Sequence, residues 1–322
     1  MGRADVYSQP DAPDPVLPEG LVRELAAPHI PSGVRLAPGM EVDETGGEAR
    51  VYLFDCTHTA GGVAVKTQRP HRLRPRTSLS KEAALLDALA EPLAGRIPDL
   101  YGYDRGDTDA GPVEFLVLSR VPGRAVVAAG GVPEPARAAL FRGVADVLRT
   151  VHSLDAGELR SAGTLPTVDG AAALRARLEP NFADLVDQLA THPSRWPLEV
   201  PPDRVAERAL AALPARLDHP PMPLHSNPGP THVFTNADGG FTGLIDFGDA
   251  YAAHPALDLR SWPDPTDRLL LREGYLDGRS PGAEWDAVWT TAMVYADMGA
   301  LTGPTLHATP AAADLVDRLG QL

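Results

Sequence analysis

Cysteine is almost absent: Cys56 is the only one in 322 residues, which excludes an intrachain disulfide and a thiolate metal cluster. No run of about 18 apolar residues occurs, so no segment reads as a membrane-spanning helix. Residues 1–19 contain acids and prolines but no apolar core. They do not read as a secretory signal; they read as a disordered leader, and the chain is expected to be cytoplasmic. Basic residues are also short, with 29 Lys and Arg against 43 Asp and Glu and a net charge of −14. That balance argues against a nucleic-acid partner, since phosphate backbones are held by an excess of Lys and Arg. It is compatible with a cationic substrate in an acidic cleft, although acidity also simply keeps proteins soluble. What is abundant is proline, 33 residues, against a usual share of about 5%. The length exceeds the usual single-core range and points to two packed subdomains.

After the leader the pattern is mostly extended. Turn residues over 34–48 culminate in Thr45-Gly46-Gly47-Glu48. Residues 50–54 and 62–66 then read as β-strands. A helix follows, with Ser78 or Ser80 as its cap and Leu79, Ala83, Leu86 and Ala90 on one stripe. Residues 114–118 form another strand, stopped by Val121-Pro122-Gly123. Beyond Gly123 helical spacing takes over: Leu140, Val144, Val147, Leu148 and Val151 define an amphipathic helix. Residues 174–189 and 205–217 also read as helical. Short strands at 233–235 and 241–245 interrupt, and helices resume from about Asp267. The expectation is an α+β fold with a β-rich N-lobe holding one helix and a mainly helical C-lobe. Its divisions are a leader over 1–19, an N-lobe over 20–117, a hinge over 118–123 and a C-lobe over 124–322.

The chemistry concentrates in Leu224-His225-Ser226-Asn227-Pro228-Gly229-Pro230-Thr231-His232-Val233-Phe234, followed by Gly243-Leu244-Ile245-Asp246-Phe247-Gly248-Asp249. This pair of motifs resembles the catalytic loop and metal-binding turn of the aminoglycoside phosphotransferase family, small-molecule kinases related to protein kinases. The pattern is His-Gly-Asp, four residues, Asn or His, a hydrophobic strand, then Ile-Asp-(Phe/Trp). The step ending in His232 is similar to the macrolide phosphotransferase branch, where His replaces Asn. The resemblance covers nearly all of the chain after the leader and implies a bilobal protein-kinase-like fold.

It also implies roles. Gly46 and Gly47 would bring backbone N–H groups over phosphates, although turns use glycine for other reasons too. Lys66, ending its strand, would hold the phosphates and pair with Glu82, 16 residues on. Ser119 and Val121 occupy the place of the hinge that hydrogen-bonds a purine. His225 would order the loop. Asp246 would be the principal Mg²⁺ ligand, and His232 the second, although Mg²⁺ prefers oxygen. Asp258 matches an Asp with a structural role. The cofactors implied are ATP or GTP with Mg²⁺, and the partner is a hydroxylated small-molecule acceptor, of a cationic kind if the C-lobe acids grip it. Asp264, Asp267, Glu273, Asp277, Glu284, Asp286 and Asp297 supply those acids, interleaved with aromatics. Asp297 and Tyr295 stand out because an acid inside the apolar stretch 292–301 needs a reason. No nucleic acid or membrane is implied, and the chain is expected to be a monomer or homodimer.

One position departs from the pattern. Asn227 stands where the family carries its catalytic Asp, and an amide cannot accept a hydroxyl proton. The expected activity is O-phosphotransfer to an antibiotic or related natural product, by a form impaired through Asp-to-Asn replacement. Two alternatives stay open: a catalytically dead nucleotide- or ligand-binding protein, and a housekeeping kinase acting on choline, a sugar or an amino alcohol.

Overall fold

Strand alternation decides which way the N-terminal lobe faces. The structure, a computed structural model, describes residues 7–57, 61–74, 78–109, 111–303 and 305–320. Helix α1 (Glu19–Ala26) leads into β1 (Glu41–Asp43), β2 (Ala49–Asp55), β3 (Gly62–Gln68), helix α2 (Leu79–Leu89), β4 (Leu100–Thr108) and β5 (Gly111–Ser119). The strands form one antiparallel sheet in the order β1-β2-β3-β5-β4. Successive side chains on a strand point to opposite faces. Val63 and Val65 therefore join Tyr52, Phe54, Phe115 and Val117 under α1. Ala64 packs on the other face with Leu79 and Leu86 of α2, and Lys66 shares that face. Ser78, not Ser80, caps α2, its hydroxyl accepting from the Lys81 N–H.

The leader is corrected where it is described; its first six residues lie outside the described residues. Leu17 is buried and its N–H donates to the Tyr52 hydroxyl at 2.9 Å. Asp14 is ion-paired with Arg50 and Arg69. The cause is the apolar outer face of the sheet, which α1 and Leu17 cover, together with two buried guanidinium groups that need a counter-charge.

The C-lobe begins with β6 (Arg124–Ala125) and continues through α3 (Glu134–His152), α4 (Ala156–Ser161), α5 (Gly170–Ala190), α6 (Pro202–Ala211), β7 (Met222–Leu224), β8 (Val233–Thr235), β9 (Phe241–Leu244) and β10 (Tyr251–Ala253). A 3-10 turn at Pro255–Arg260, then α7 (Pro265–Leu276), α8 (Ala283–Thr302) and α9 (Thr305–Leu319) complete it. Helix α6 ends at Ala211 instead of running to Leu217, because Pro214 disfavours helical backbone before it. Strand β8 lies between β6 and β9, and β7 pairs with β10.

The lobes meet through specific contacts. Gly123, at the end of the hinge, has φ +91°, and a Cβ there would sit 2.2 Å from the Thr235 carbonyl; only glycine fits. The Leu244 N–H donates to the Arg96 carbonyl at 2.9 Å. The Lys81 ammonium donates to the Ala250 carbonyl at 2.8 Å. These bonds set α2, and with it Glu82, against the segment that carries Asp246.

Candidate active site

Lys66 Nζ lies 2.6 Å from Glu82 Oε2 and 2.7 Å from Asp246 Oδ1. Burial opposes the charged ammonium, but Asp246 and Glu82 outweigh it and the Lys66 pKa is raised. Burial likewise opposes the Asp246 carboxylate, yet Lys66 and His232 hold its pKa well below the usual range. Glu82 is the deepest of the three, and there burial wins over Lys66 and raises the pKa. Asp246 also has φ +72°, a left-handed backbone uncommon outside glycine and frequent at functional sites. Sheet, helix and C-lobe turn thus deliver one cation and two carboxylates to a single point.

The loop after β7 is held from behind by Asp258, which is fully buried. Its carboxylate accepts the backbone N–H of His225 at 2.7 Å and of Ser226 at 2.8 Å. Those two bonds secure Ser226 at φ +86°. Behind Asp258, His152 Nε2 lies 3.0 Å from its Oδ2, and His152 Nδ1 lies 2.9 Å from the Tyr275 hydroxyl. The Trp262 indole N–H fastens the Pro228 carbonyl at 3.0 Å. Asp258 is structural, as expected, and its contacts say how.

His225 is locked and neutral. Its Nε2–H donates to the Ile245 carbonyl at 2.9 Å, and its Nδ1 accepts the Asn227 N–H at 3.3 Å. Burial pushes its pKa down to about 4 despite Asp258. With both nitrogens committed it cannot take a proton from an acceptor. Asn227 itself is exposed.

His232 bridges the loop and the Asp246 carboxylate. Its Nδ1 lies 2.7 Å from the Asn227 carbonyl, which can only accept, so Nδ1 carries the hydrogen. Its Nε2 lies 3.2 Å from Asp246 Oδ2. Burial disfavours the imidazolium, but Asp246 raises the pKa. Mg²⁺ takes one or two carboxylates and fills its octahedron with water and phosphate oxygens. Asp246 fits that requirement, with its side chain 39% exposed. Among the described residues no group of three or more His, Cys, Asp or Glu could hold a metal alone, so water and phosphate oxygens would complete the shell. His232 fits less well, since its one remaining nitrogen faces Asp246.

Gly46 and Gly47 lie in the exposed turn between β1 and β2. Asp43 shapes it, its Oδ1 accepting from the Thr45 N–H at 2.8 Å and the Thr45 hydroxyl at 2.6 Å. Neither glycine has a positive φ, and a Cβ at Gly47 would meet nothing within 4 Å. A Cβ at Gly46 would come 3.2 Å from the Ala49 carbonyl, so local packing favours glycine at Gly46 and leaves position 47 open.

At the hinge, the Ser119 backbone donor is already used. Its N–H donates to the Asp99 carbonyl at 2.9 Å and its hydroxyl accepts the Asp99 N–H at 2.7 Å. The hydroxyl acts there as an acceptor, so the backbone N–H is the Ser119 donor spent inside the protein. The Arg120 N–H is likewise used by the Gly62 carbonyl. Val121, buried, stays at the hinge.

Asp297 is corrected too. It is fully buried and ion-paired with Arg268, which is also fully buried. Burial pushes its carboxyl up to about 7, Arg268 notwithstanding. It faces the α7–α8–α9 packing and has no access to an acceptor. Tyr295 is half-buried, edge-on to Phe182 and under the Arg260 guanidinium at 5.0 Å. Other C-lobe acids are also engaged internally. Asp264 and Asp267 share Arg137, Asp286 pairs with Arg272, and Glu284 accepts two backbone N–H groups at Asp218 and His219.

Sequence reasoning missed His152, Tyr275 and Lys81. Composition held one signal for the last: the chain has two lysines, Lys66 and Lys81, and both reach toward the cleft-lining segment 246–250.

A β-sheet lobe with a Lys–Glu–Asp convergence, set over a helical lobe with an ordered His225 loop, defines a kinase-type phosphotransferase fold. The sequence model of the phosphotransferase enzyme family matches residues 40–288, and the chain belongs to that family. No curated protein matches the chain significantly by sequence. Among solved structures, the macrolide 2′-phosphotransferase MphH apoenzyme from Brachybacterium faecium is 23% identical, with TM-score 0.54 over 92% of this chain and 98% of that one. A type I macrolide 2′-phosphotransferase is 17% identical, with TM-score 0.57 over 94% and 98%. The GDP and kanamycin complex of APH(2″)-IIia is 16% identical, with TM-score 0.56 over 94% and 98%. At these identities the likeness is one of fold.

Proposed function

We propose that the chain binds a nucleoside triphosphate with Mg²⁺ and is built to transfer its γ-phosphoryl group to a hydroxyl of an antibiotic or related natural product. The observation that carries this reading is Lys66 held between Glu82 and Asp246 beside the ordered loop at His225. The GDP complex of a protein of the same fold supports a nucleotide in the cleft.

Phosphoryl transfer asks a protein mainly for positioning and charge neutralisation. Lys66 would meet the phosphates, and Asp246 would hold Mg²⁺, which neutralises phosphate charge when bound. The acceptor oxygen forms its new bond to the γ-phosphorus as the bond to the β–γ bridging oxygen breaks, and the nucleoside diphosphate leaves with that electron pair. The hydroxyl proton must also leave. At Asn227 nothing takes it: the amide is no base, His225 has no free nitrogen, and His232 is committed to Asn227 and Asp246. The chain is therefore an impaired form of the transferase its cleft describes.

The internal pairing of Asp264, Asp267, Asp286 and Asp297 favours an acceptor that is not gripped as a polycation by these groups. The test is thermal shift with millimolar Mg²⁺-ATP and Mg²⁺-GTP, followed by diphosphate release against macrolide, aminoglycoside, choline and sugar acceptors. Binding with slow transfer to an antibiotic supports the reading. Absence of any nucleotide-dependent shift rejects it, and transfer only to choline or a sugar moves the protein to housekeeping metabolism. Nucleotide binding with no transfer even in the Asn227→Asp form would favour a binding protein instead.

A further inference from the structure

The family match begins at residue 40, yet the groups that steady the glycine turn include residues before it. The segment from Ser8 to Leu17 lies along the nucleotide-side lobe as a strap. Its ends are fixed by the Ser8 N–H on the Leu73 carbonyl at 2.8 Å and the Leu17 N–H on the Tyr52 hydroxyl at 2.9 Å. Between them sits Asp14, its side chain 12% exposed.

Asp14 grips Arg50 with a two-point fork: Nη1 to Oδ1 at 3.0 Å and Nη2 to Oδ2 at 2.9 Å. The same guanidinium holds Glu44 through Nη2 at 2.6 Å and Nε at 2.9 Å. Glu44 belongs to the turn that carries Gly46 and Gly47. Arg69 Nε adds a bond to Asp14 Oδ2 at 2.9 Å, its Nη2 lies 3.7 Å from Glu44, and its backbone N–H donates to the Glu48 carbonyl at 2.8 Å. Arg50 and Arg69 are both buried, so each needs a counter-charge. Asp14 supplies it. Without Asp14, two buried guanidinium groups would compete for Glu44, whose side chain is half exposed, and the turn would be pulled off its place.

We propose that Asp14 is a positioning residue for nucleotide binding: through Arg50 it holds Glu44, and with it the Gly46–Gly47 turn, in the conformation that receives the phosphates. The inference rests on the kinase reading of the cleft and adds to it a residue outside the family-matched span.

The experiment measures the Kd of Mg²⁺-ATP and Mg²⁺-GTP for the full chain by equilibrium titration, well below the melting temperature of each variant. Asp14→Asn is expected to weaken binding roughly tenfold, and Asp14→Glu to recover most of the loss. Glu44→Gln, which leaves Asp14 as the buried counter-charge of Arg50, is expected to weaken it similarly. Because both act through Arg50, the double variant should bind no worse than the weaker single one. A lowered melting temperature with Kd unchanged in Asp14→Asn would make the strap merely structural and overturn the proposal. Should Asp14→Asn fail to fold, an unchanged Kd in Glu44→Gln overturns it equally. A wild-type chain that binds neither nucleotide overturns the kinase reading and this inference together, whereas normal wild-type binding with unaffected variants overturns this inference alone.

Discussion

Lys66 and Asp246, 180 residues apart in sequence, meet at 2.7 Å between Nζ and Oδ1. The contact joins a strand of one lobe to a left-handed turn of the other. It also sets an ammonium directly on a carboxylate, so the two neutralise each other. With a nucleotide in the cleft, phosphate and Mg²⁺ would divide this pair between them. Each partner then gains an opposite charge of its own, and the two lobes remain bridged through the ligand.

The two candidates for the metal can be separated on that basis. Asp246→Ala should make nucleotide affinity the same with Mg²⁺ as with a chelator. His232→Ala should keep a clear Mg²⁺ dependence, because His232 serves Asp246 and the Asn227 carbonyl and Mg²⁺ prefers oxygen. Titration of each variant with and without Mg²⁺ checks this. Equal loss of Mg²⁺ dependence in both would show that His232 is a full ligand.

Asp297 should matter to stability alone. Removing one partner of a fully buried ion pair costs up to about 3–5 kcal/mol, and here Arg268 would keep only the more distant Asp314, at 3.8 Å. Asp297→Ala is thus expected to lower the melting temperature sharply, Arg268 being left in the core, while nucleotide and acceptor affinities of the folded fraction stay unchanged. An acceptor KM that rises in this variant with no loss of stability would restore Asp297 to the substrate site.

How much of this was legible before the structure differed from residue to residue. Lys66, Glu82, His225 and Asp246 could be found because motif order is a linear property, and the fold brings all four to one place. Asp297 could not be judged, because its partner Arg268 lies 29 residues away on another helix. An acid in an apolar stretch marks a buried pair as readily as a binding group. The Asp14 strap was hidden for a similar reason. A proline-rich acidic stretch looks disordered until Arg50 and Arg69 are known to converge on it. Ser119 ends β5, but which way its N–H points depends on Asp99, from the neighbouring connection. Helix α1 was missed because eight residues give a weak periodic signal.

Acid stability should depend on His254. Its Nδ1 accepts the Ala256 N–H at 3.3 Å, and its ring is buried, with the nearest Glu284 oxygen 3.9 Å from Nε2. Burial, with His219 and His152 adding to it, pushes the pKa down to about 3. In the unfolded chain a histidine protonates near 6.5. As pH falls below that value the unfolded state takes a proton the folded state refuses, so stability is lost from about 6.5 downward. The linkage amounts to roughly 2 kcal/mol between pH 7 and pH 5. His254→Asn keeps a cap acceptor and cannot titrate. Urea unfolding at both pH values should show wild type losing about 2 kcal/mol more than the variant over this interval. Parallel losses would mean that His254 is charged in the fold or does not limit acid stability.

Placing a carboxylate at position 227 is the most direct test of the site. The loop that would present it is already built: Asp258 holds the His225 and Ser226 N–H groups, Trp262 holds the Pro228 carbonyl, and His232 holds the Asn227 carbonyl. None of these bonds uses the Asn227 side-chain amide, so Asn227→Asp should leave the loop in place. The new carboxylate would accept the acceptor hydroxyl proton or hold that hydroxyl in line with the γ-phosphorus. Phosphoryl transfer should rise at least about a hundredfold, the low end for a positioned general base. Nucleotide Kd should change little, because on the proposed reading Lys66 and Asp246, not position 227, meet phosphate and metal. Diphosphate release by both forms, measured against macrolide, aminoglycoside and nucleoside-antibiotic acceptors, decides it. Equal activity of the two forms would show that the proton leaves by a route that bypasses position 227.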